Sequence, residues 1–486
     1  MWRGFAATVG MAGQVSNDDE WTHALETLRG EAFAEYLRGC RWFGGKAHRL
    51  RGAEVLEVLS LGDVGRMILL RVNYVEAPAE TYLLPLQVGA DGVLFDALED
   101  ERFRAVLMKM IAEEERLICG RGELVGICGA EFKESILGMR RPMTSRLLKL
   151  EQSNSSLLYD ERFFLKLYRR PDAGVNPDAE LLRYFSERHK FAQVPVYCGA
   201  IEYRVAGTKP RVLALLVANV VSEGDAWKTT LNALSQGWNK EGFERVRLLG
   251  RRTAEMHLAL AAETEDPDFA PERFDEAYQG GLGESMAAVM RRMMRMLEQK
   301  QRELPAECRG EVSALLGREE EILRYLEGLM ERTFCAMRIR HHGDYHLGQV
   351  LDVGDEFFII DFEGEPGRLL SERCAKHTPL RDVASMLRSF DYAAHTAAAK
   401  RGEDDERLAE WGERVSQSFL DGYLSMAKGA AFLPSDEAEL QRLLEVCLLE
   451  KAVYEVCYEL NNRPEWVGIP LRGMMRIVER SCGSGR

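Results

Sequence analysis

Two acidic side chains and an amide are spaced along the chain in a way that suits phosphoryl transfer. An HGD motif ends at Asp344, Gln349 follows five positions later, and Asp361 closes the apolar run FFIID. Phosphoryl transfer needs a carboxylate that orients the attacking hydroxyl and oxygen ligands that hold magnesium. We therefore predict that Asp344 is the catalytic base and that Gln349 and Asp361 bind Mg²⁺, because hard cations accept amide and carboxylate oxygens.

An upstream lysine and glutamate supply the other parts that ATP chemistry requires. Lys166 lies in the apolar run FFLKLYRR, which predicts a strand, and Glu180 follows fourteen residues later near the start of a helix. We predict that Lys166 contacts the ATP phosphates and that Glu180 orients it. The serine-rich QSNSSLL turn is predicted to cover the phosphates, and the apolar LLVANVV strand to pack against adenine. The expected nucleotide contacts in these two segments are Ser153, Ser155, Ser156, Val217 and Asn219.

An acidic surface hairpin is the alternative for the segment around Asp344, since an HGD or a DF pair alone is a weak signal. The order along the chain decides between the two. The chain has, in the order of protein kinases, a lysine, a glutamate, a hinge strand, the HGDxxxxQ motif and an aspartate at the end of a strand. In protein kinases the base and the amide ligand are also five residues apart. We therefore favour a phosphoryl-transfer site that binds ATP and Mg²⁺.

Composition narrows the classes of partner. The 486 residues carry a net charge of −14, which disfavours nucleic acid and anionic membrane surfaces but not an anionic ligand held by a few local cations. The ten cysteines are scattered without a CxxC pair, so we expect free thiols and a cytoplasmic protein. No apolar run is long enough to span a membrane. The first residues lack the features of a signal peptide and are expected to form a flexible tail.

The pattern of elements predicts an α+β fold with a small mixed part and a large helical part. Residues 20–40 and 101–118 read as helices, and three strands are expected between residues 50 and 100. A hairpin turning at Asp160-Glu161 and a helix with Asn176 at its N-cap follow. Long amphipathic helices dominate after residue 224. We predict four segments, which are a tail (1–19), an N-terminal cap (20–118), an intermediate ATP-binding subdomain (119–221) and a helical lobe with the catalytic loop and acceptor site (222–486).

A helical segment near the C-terminus offers contacts for a sugar. Glu455, Glu459 and Arg463 recur every four residues and share one helix face, beside Tyr454 and Tyr458. Carboxylates and guanidinium groups bind sugar hydroxyls, and tyrosine rings stack on sugar faces. A ladder of i,i+4 ion pairs on a surface helix is the other interpretation of this spacing.

Several long blocks resemble bacterial maltokinases, some of which are fused to trehalose synthase. The resemblance runs from about residue 20 to 478 and rests on five blocks, which are RWFGGK, HGDYHLGQVL, IIDFEGEP, PLRDVASMLRSFDYAA and YEVCYELNNRPEWVGIPLRG. It implies the bilobal kinase-like fold of aminoglycoside phosphotransferases and choline kinases. It also implies ATP-dependent phosphorylation of maltose to maltose 1-phosphate, which feeds glycogen and α-glucan synthesis, and trehalose synthase as a partner.

Site roles follow from the same resemblance. Asp382 is expected to brace the catalytic loop, and Glu363 to serve the metal or the structure. The expected substrate contacts are His342, His346, Glu455, Tyr458, Glu459 and Arg463. Two other functions stay open, which are a kinase of another sugar or amino sugar such as glucosamine, and a pseudokinase partner of trehalose synthase. The retained Asp344, Asp361 and Lys166 disfavour the pseudokinase.

Three further features are expected to be structural. RWFGGK does not match a phosphate-binding loop, because Cys40 stands where GxxxxGK needs its first glycine. His257 and the methionine-rich stretch that begins at Met286 are expected to belong to the core.

Overall fold

The computed structural model describes residues 21–483 except 22–23, 27, 29–30, 90–91, 138–141, 149–152, 332–333 and 402–405. The predicted tail, residues 1–19, lies outside the described residues. The chain divides into two compact units. The first comprises Met1–Arg188 and Pro195–Val220, and the second comprises His189–Val194 and Val221–Arg486.

The first unit opens with a helix and a four-stranded antiparallel sheet. Helix α1 is Glu31–Gly39, and the strands are β1 (Leu50–Ser60), β2 (Arg66–Tyr74), β3 (Glu80–Val88) and β4 (Leu94–Asp96), paired in chain order. The three strands predicted in this stretch are therefore confirmed.

Helix α2 (Glu101–Ala112) is shorter than the predicted helix over 101–118. Its last turn closes through the N–H of Glu113 and of Glu114, which bond to the carbonyls of Lys109 and Ile111. Glu114 then adopts a positive φ of 52°, which ends the helix, and the chain continues as a strand.

A seven-stranded antiparallel sheet forms the rest of the first unit. Its strands are β5 (Arg116–Cys119), β6 (Gly122–Cys128), β7 (Ser145–Leu148), β8 (Ser155–Tyr159), β9 (Phe163–Leu167), β10 (Tyr197–Arg204) and β11 (Arg211–Ala218), in the order β5-β6-β10-β11-β9-β8-β7. Helices α3 (Ala130–Ser135) and α4 (Pro177–Glu187) accompany it. The predicted hairpin is confirmed as β8–β9, and Asp160 and Glu161 turn it with positive φ angles.

One hydrophobic core joins residues of the predicted cap to residues of the predicted ATP-binding subdomain. Leu59, Leu69 and Phe103 of the cap share it with Leu165 and Leu216 of the central strands. The division of this unit at residues 118–119 therefore lies inside a single unit, and it stays a prediction.

The second unit is mainly helical. Its helices are α5 (Ala226–Gln236), α6 (Lys240–Leu260), α7 (Glu276–Lys300), α8 (Ala306–Leu316), α9 (Glu319–Met330), α10 (Leu370–Arg373), α11 (Leu380–Arg401), α12 (Glu406–Ala427), α13 (Glu437–Asn462) and α14 (Gly468–Gly483). The short strands are β12 (Gly224–Asp225), β13 (Glu272–Arg273), β14 (Met337–Arg338), β15 (Val350–Val353) and β16 (Glu356–Ile359). The hairpin β15–β16 directly follows the segment that carries Asp344.

The expected methionine-rich core packing is confirmed in this unit. Met286, Met290, Met293 and Met294 of α7 are buried, as expected for core packing. None of the described helices combines the length and the apolar character that crossing a bilayer requires.

Candidate active site

Asp344 lies on a loop between β14 and β15 whose backbone is tied to helix α11. The N–H of His342 donates to Oδ2 of Asp382 at 2.8 Å, and the N–H of Gly343 donates to Oδ1 at 3.0 Å. Gly343 has a φ of 84°, a left-handed conformation that glycine adopts at little cost. The predicted role of Asp382 as a brace for this loop is confirmed.

The Asp382 carboxylate is fully buried and belongs to a hydrogen-bonded chain. His257 on α6 lies 3.0 Å from Asp382 Oδ2 through Nε2 and 3.0 Å from the Tyr423 hydroxyl through Nδ1. Burial by itself would raise the pKa of Asp382, but the hydrogen bond from His257 and the neighbouring histidines hold it well below its usual range. The prediction that His257 is a core histidine is confirmed, since its side chain is 0% exposed.

His342 is buried, and both of its ring nitrogens bind backbone groups. Its Nδ1 accepts the N–H of Asp344 at 3.3 Å, so the ring proton is on Nε2, which donates to the Ile360 carbonyl at 3.0 Å. The ring therefore joins the base to the chain just before Asp361. This geometry favours a positioning role over the predicted sugar contact, because a sugar hydroxyl would have to displace one of these bonds.

His346 lies beside the base on the exposed side of the loop. Its Nδ1 accepts the N–H of Gly348 at 3.0 Å, and its Nε2 lies 4.0 Å from Asp344 Oδ2. The side chain is 42% exposed, against 22% for Asp344. Its predicted contact with the substrate stays a prediction, and its ring is placed where an acceptor near Asp344 could reach it.

Gln349 and Asp361 come together as the spacing predicts. Gln349 ends a short 3-10 turn, Asp361 follows β16, and Gln349 Nε2 donates to Asp361 Oδ2 at 3.0 Å. The strand ends at Ile359, two residues before its predicted end, and Asp361 itself has a φ of 67°. A left-handed aspartate is rare, and such conformations cluster at functional sites. The amide oxygen and the carboxylate are both hard ligands, so the pair fits the predicted Mg²⁺ site.

Lys451 on α13 is a charged neighbour of the base that the sequence reasoning missed. Its Nζ lies 3.8 Å from Asp344 Oδ1 and 2.7 Å from Glu365 Oε1, and Arg368 Nε binds the second Glu365 oxygen at 2.6 Å. A cavity of about 40 Å³ borders Lys451, Glu365 and Tyr454. Helical spacing could have indicated this lysine, because it precedes Tyr454 by three residues and Tyr458 by seven.

Burial and ion pairing set the charge state of this cluster. Burial would lower the pKa of Lys451, but the carboxylates of Glu365 and Asp344 raise it above the ordinary lysine value. Burial would likewise raise the pKa of Glu365, and Lys451 and Arg368 lower it instead. Both side chains are therefore charged at neutral pH.

The predicted sugar-binding face of α13 is engaged in ion pairs. Glu455 Oε2 accepts from Arg388 Nε at 2.9 Å, with both side chains buried. Glu459 accepts two bonds from Arg463, at 2.9 and 2.7 Å, as in the ion-pair interpretation. Tyr458 is 45% exposed. The role of these four residues in sugar binding stays a prediction, and Tyr458 presents the most accessible surface.

In the first unit, Lys166 lies on β9 as predicted, between Ser156 of β8 and Leu215 of β11 in the strand register. Its Nζ makes an ion pair of 3.1 Å with Oδ2 of Asp178, whose side chain is buried on α4. Sequence reasoning missed Asp178, although it stands in the first turn of the helix that Asn176 caps. The predicted pairing of Lys166 with Glu180 stays a prediction.

The predicted nucleotide contacts lie along the same sheet. Ser155 and Ser156 begin β8, and the Ser155 hydroxyl accepts from Arg169 Nε at 2.8 Å. Val217 is buried near the end of β11, and the Asn219 side chain donates to the Glu161 carbonyl at 2.9 Å. Ser153 precedes β8, while residues 149–152 of the serine-rich turn lie outside the described residues. These contacts with ATP stay predictions.

Comparisons with known proteins find similar sugar kinases. Residues 36–100 match the maltokinase N-terminal cap domain family. A glucosamine kinase of Streptacidiphilus jiangxiensis is 25% identical over 345 residues, 69% of this chain and 74% of that protein. A glucosamine kinase of Mycolicibacterium smegmatis is 22% identical over 347 residues, 70% of this chain and 81% of that protein.

Solved structures of a glucosamine kinase share the fold. One, in complex with glucosamine, ADP and inorganic phosphate, aligns with a TM-score of 0.66 at 20% identity, over 90% of this chain and 96% of that chain. A second crystal form gives a TM-score of 0.68 at 20% identity, over 90% and 95% of the two chains. This chain therefore shares the fold of these glucosamine kinases, and its residues 36–100 match the maltokinase cap family. The predicted bilobal kinase-like α+β fold is confirmed.

The RWFGGK motif lies within the matched cap of this kinase. Gly44–Ala47 forms a 3-10 turn, and a Cβ on Gly45 would lie 2.0 Å from the Tyr74 hydroxyl, so only glycine allows this turn to pack on β2. Phe43 is buried, and Arg169 stacks on the Trp42 ring at 4.9 Å. The motif is structural, as expected.

Proposed function

We propose that this kinase transfers a phosphoryl group from ATP to the anomeric hydroxyl of maltose, giving maltose 1-phosphate. The observation that carries the proposal is the arrangement of the second unit, where a braced Asp344 stands beside Lys451 and a tyrosine-lined helix face. The cap match supports maltokinase, and the presence of the catalytic, metal-binding and phosphate-binding residue types supports an active enzyme.

Each described side chain then has a role. Asp344 accepts the hydrogen bond of the acceptor hydroxyl and takes its proton as the phosphoryl group moves. Gln349 and Asp361 would hold magnesium, which would supply positive charge to offset that of the transferred phosphate. Lys166, kept in place by Asp178, binds the ATP phosphates.

The helix face beside Lys451 suits a disaccharide. The rings of Tyr454 and Tyr458 are stacked at 24°, with centroids 6.4 Å apart. Lys451 and Tyr458 are seven residues apart, and a rise of about 1.5 Å per residue separates them by roughly 10 Å along the helix. Two rings in a row from the base outward offer one stacking position for each glucose unit of maltose.

Glucosamine is the second candidate acceptor. Both curated relatives carry the name glucosamine kinase, and a solved relative contains glucosamine and ADP. Partnership with trehalose synthase and supply of α-glucan synthesis remain implications of the resemblance.

A coupled assay of ADP release tests the proposal. The purified chain is given ATP, Mg²⁺ and one of maltose, glucose, glucosamine, trehalose or no sugar, and the product is located by ³¹P and ¹³C NMR. Maltose-dependent release with phosphate on the anomeric carbon supports the proposal. Release with glucosamine alone moves the assignment to a glucosamine kinase. Absence of ADP release with every sugar favours the pseudokinase alternative.

Asp344→Asn is the matched control in this assay. It removes the charge of the base but keeps its size, so a large loss of sugar-dependent ADP release in this variant shows that the release comes from this chain's own site.

A further inference from the structure

The base has a permanent cation beside it. Lys451 Nζ lies 3.8 Å from Asp344 Oδ1, and its side chain is 16% exposed. The ammonium is held in this position from two sides, by Glu365 Oε1 at 2.7 Å and by the ring of Tyr454, whose centroid is 4.9 Å away. An acceptor that places its hydroxyl on Asp344 therefore comes within a few ångströms of this positive charge.

The carboxylates around this lysine are already used. Glu365 gives one oxygen to Lys451 and the other to Arg368 at 2.6 Å. Glu455 binds Arg388, and Glu459 binds Arg463 through two hydrogen bonds. Each of these three acidic groups therefore already has a cationic partner that offsets its charge.

Asp344 and His346 also lie at the position of the acceptor hydroxyl. Asp344 must bind the acceptor hydroxyl, and His346 adds a ring nitrogen 4.0 Å from it. An ammonium group next to that hydroxyl would therefore meet the charge of Lys451 while Asp344 is occupied by the hydroxyl and Glu365 by its two cationic partners.

We propose that Lys451, held by Glu365, is a specificity-determining residue that admits neutral sugars to Asp344 and rejects protonated amino sugars. This inference rests on the proposed function and specifies its substrate class. Two unit charges about 6 Å apart at a protein-surface effective dielectric repel enough to lower kcat/KM for an ammonium-bearing acceptor by about ten- to a hundredfold.

Glucose and glucosamine are the test pair, because they differ only in the group at carbon 2. The quantity measured is the ratio of kcat/KM for glucose to kcat/KM for glucosamine, at a pH where the amine is protonated. We expect the wild type to favour glucose, Lys451→Met to reduce that ratio by about tenfold or more, and Lys451→Arg to preserve it. Arginine retains the positive charge and methionine does not. If Lys451 acted through packing alone, the two variants would not differ in this ratio according to their charge.

Lys376→Met is the matched control. Lys376 is also a buried lysine with one carboxylate partner, Glu272, and it takes no part in the proposed site. Its substitution should leave the ratio unchanged. An unchanged ratio in Lys451→Met, or a wild type that prefers glucosamine to glucose, would overturn the inference while leaving the enzyme a kinase. Absence of transfer to every sugar would instead overturn the proposed function.

The wild type alone decides the matter if Lys451→Met does not fold. The glucose-to-glucosamine ratio should fall as the pH rises and the glucosamine amine loses its proton, because the neutral amine escapes the repulsion. Titration of an enzyme group that acts equally on both sugars cancels in the ratio. A ratio that stays constant across this range would overturn the inference.

Discussion

Replacing Asp382 by alanine should destabilise the second unit and disable the catalytic loop together. The buried carboxylate accepts three hydrogen bonds, from the N–H of His342, the N–H of Gly343 and the ring of His257. In Asp382→Ala these three donors lose their acceptor at a position that is only 1% exposed.

The size of the effect follows from those contacts. Removing one partner of a buried charged network costs about 3–5 kcal/mol. For a unit of this size, each 1 kcal/mol shifts Tm by about 2–4 °C, so the expected loss is roughly 6–20 °C. The Tm of Asp382→Asn should lie between those of the wild type and the alanine variant. The asparagine side chain keeps one acceptor oxygen, but its NH₂ group faces N–H donors that need an acceptor.

Thermal melting followed by circular dichroism, with ADP release measured well below the transition, checks this prediction. Asp436→Ala is the control, because Asp436 is an exposed N-cap that accepts one backbone N–H at 2.8 Å. It should cost about 1 kcal/mol and leave turnover intact. If Asp382→Ala melts within 1 °C of the control, the brace does not hold the loop and the reasoning is refuted.

Lowering the pH should remove the contribution of the Asp382 carboxylate to the free energy of unfolding. Because the folded-state pKa of Asp382 is well below the unfolded value, its contribution is complete above the unfolded pKa, near 4, and is lost as the pH falls toward the folded pKa. The difference in unfolding free energy between the wild type and Asp382→Asn should therefore shrink between pH 5 and the acid limit of the fold, as measured by urea titration. A difference that grows with acid would contradict this sign.

Further substitutions test the other parts of the site. Asp344→Asn should lower kcat by about a hundredfold or more while ATP binding, measured by calorimetry, stays within about twofold. Wild-type rates would remove Asp344 from the mechanism. Lys166→Met should weaken nucleotide binding. Asp178→Asn should weaken it less, because this variant keeps the Lys166 ammonium group. A larger loss of nucleotide binding in Asp178→Asn than in Lys166→Met would contradict this order. Gly45→Ala should lower the stability of the cap by about 1–3 kcal/mol, since its methyl group would overlap the buried Tyr74 ring, and an unchanged melting curve would show that the turn can move.

Local sequence patterns determined the parts of the site that lie on one short segment. The five-residue step from Asp344 to Gln349 and the return of the chain at Asp361 follow from a loop and a hairpin, whose geometry is set by neighbouring residues. Lys166 was located by the alternation of an apolar strand. Each of these elements depends on interactions over a few residues, so their spacing could be read directly.

Only the tertiary structure decided which distant side chains complete those segments. Asp382 lies 38 residues beyond Asp344 and Lys451 lies 107 residues beyond it, and both face the loop because helices α11 and α13 pack near it. The ion pair between Lys166 and Asp178 likewise depends on how α4 packs against the strands, because α4 carries two acids in its first turn. A periodic pattern shows which face of a helix is apolar, but the charged group that reaches a given atom depends on the rotation and position of the whole helix.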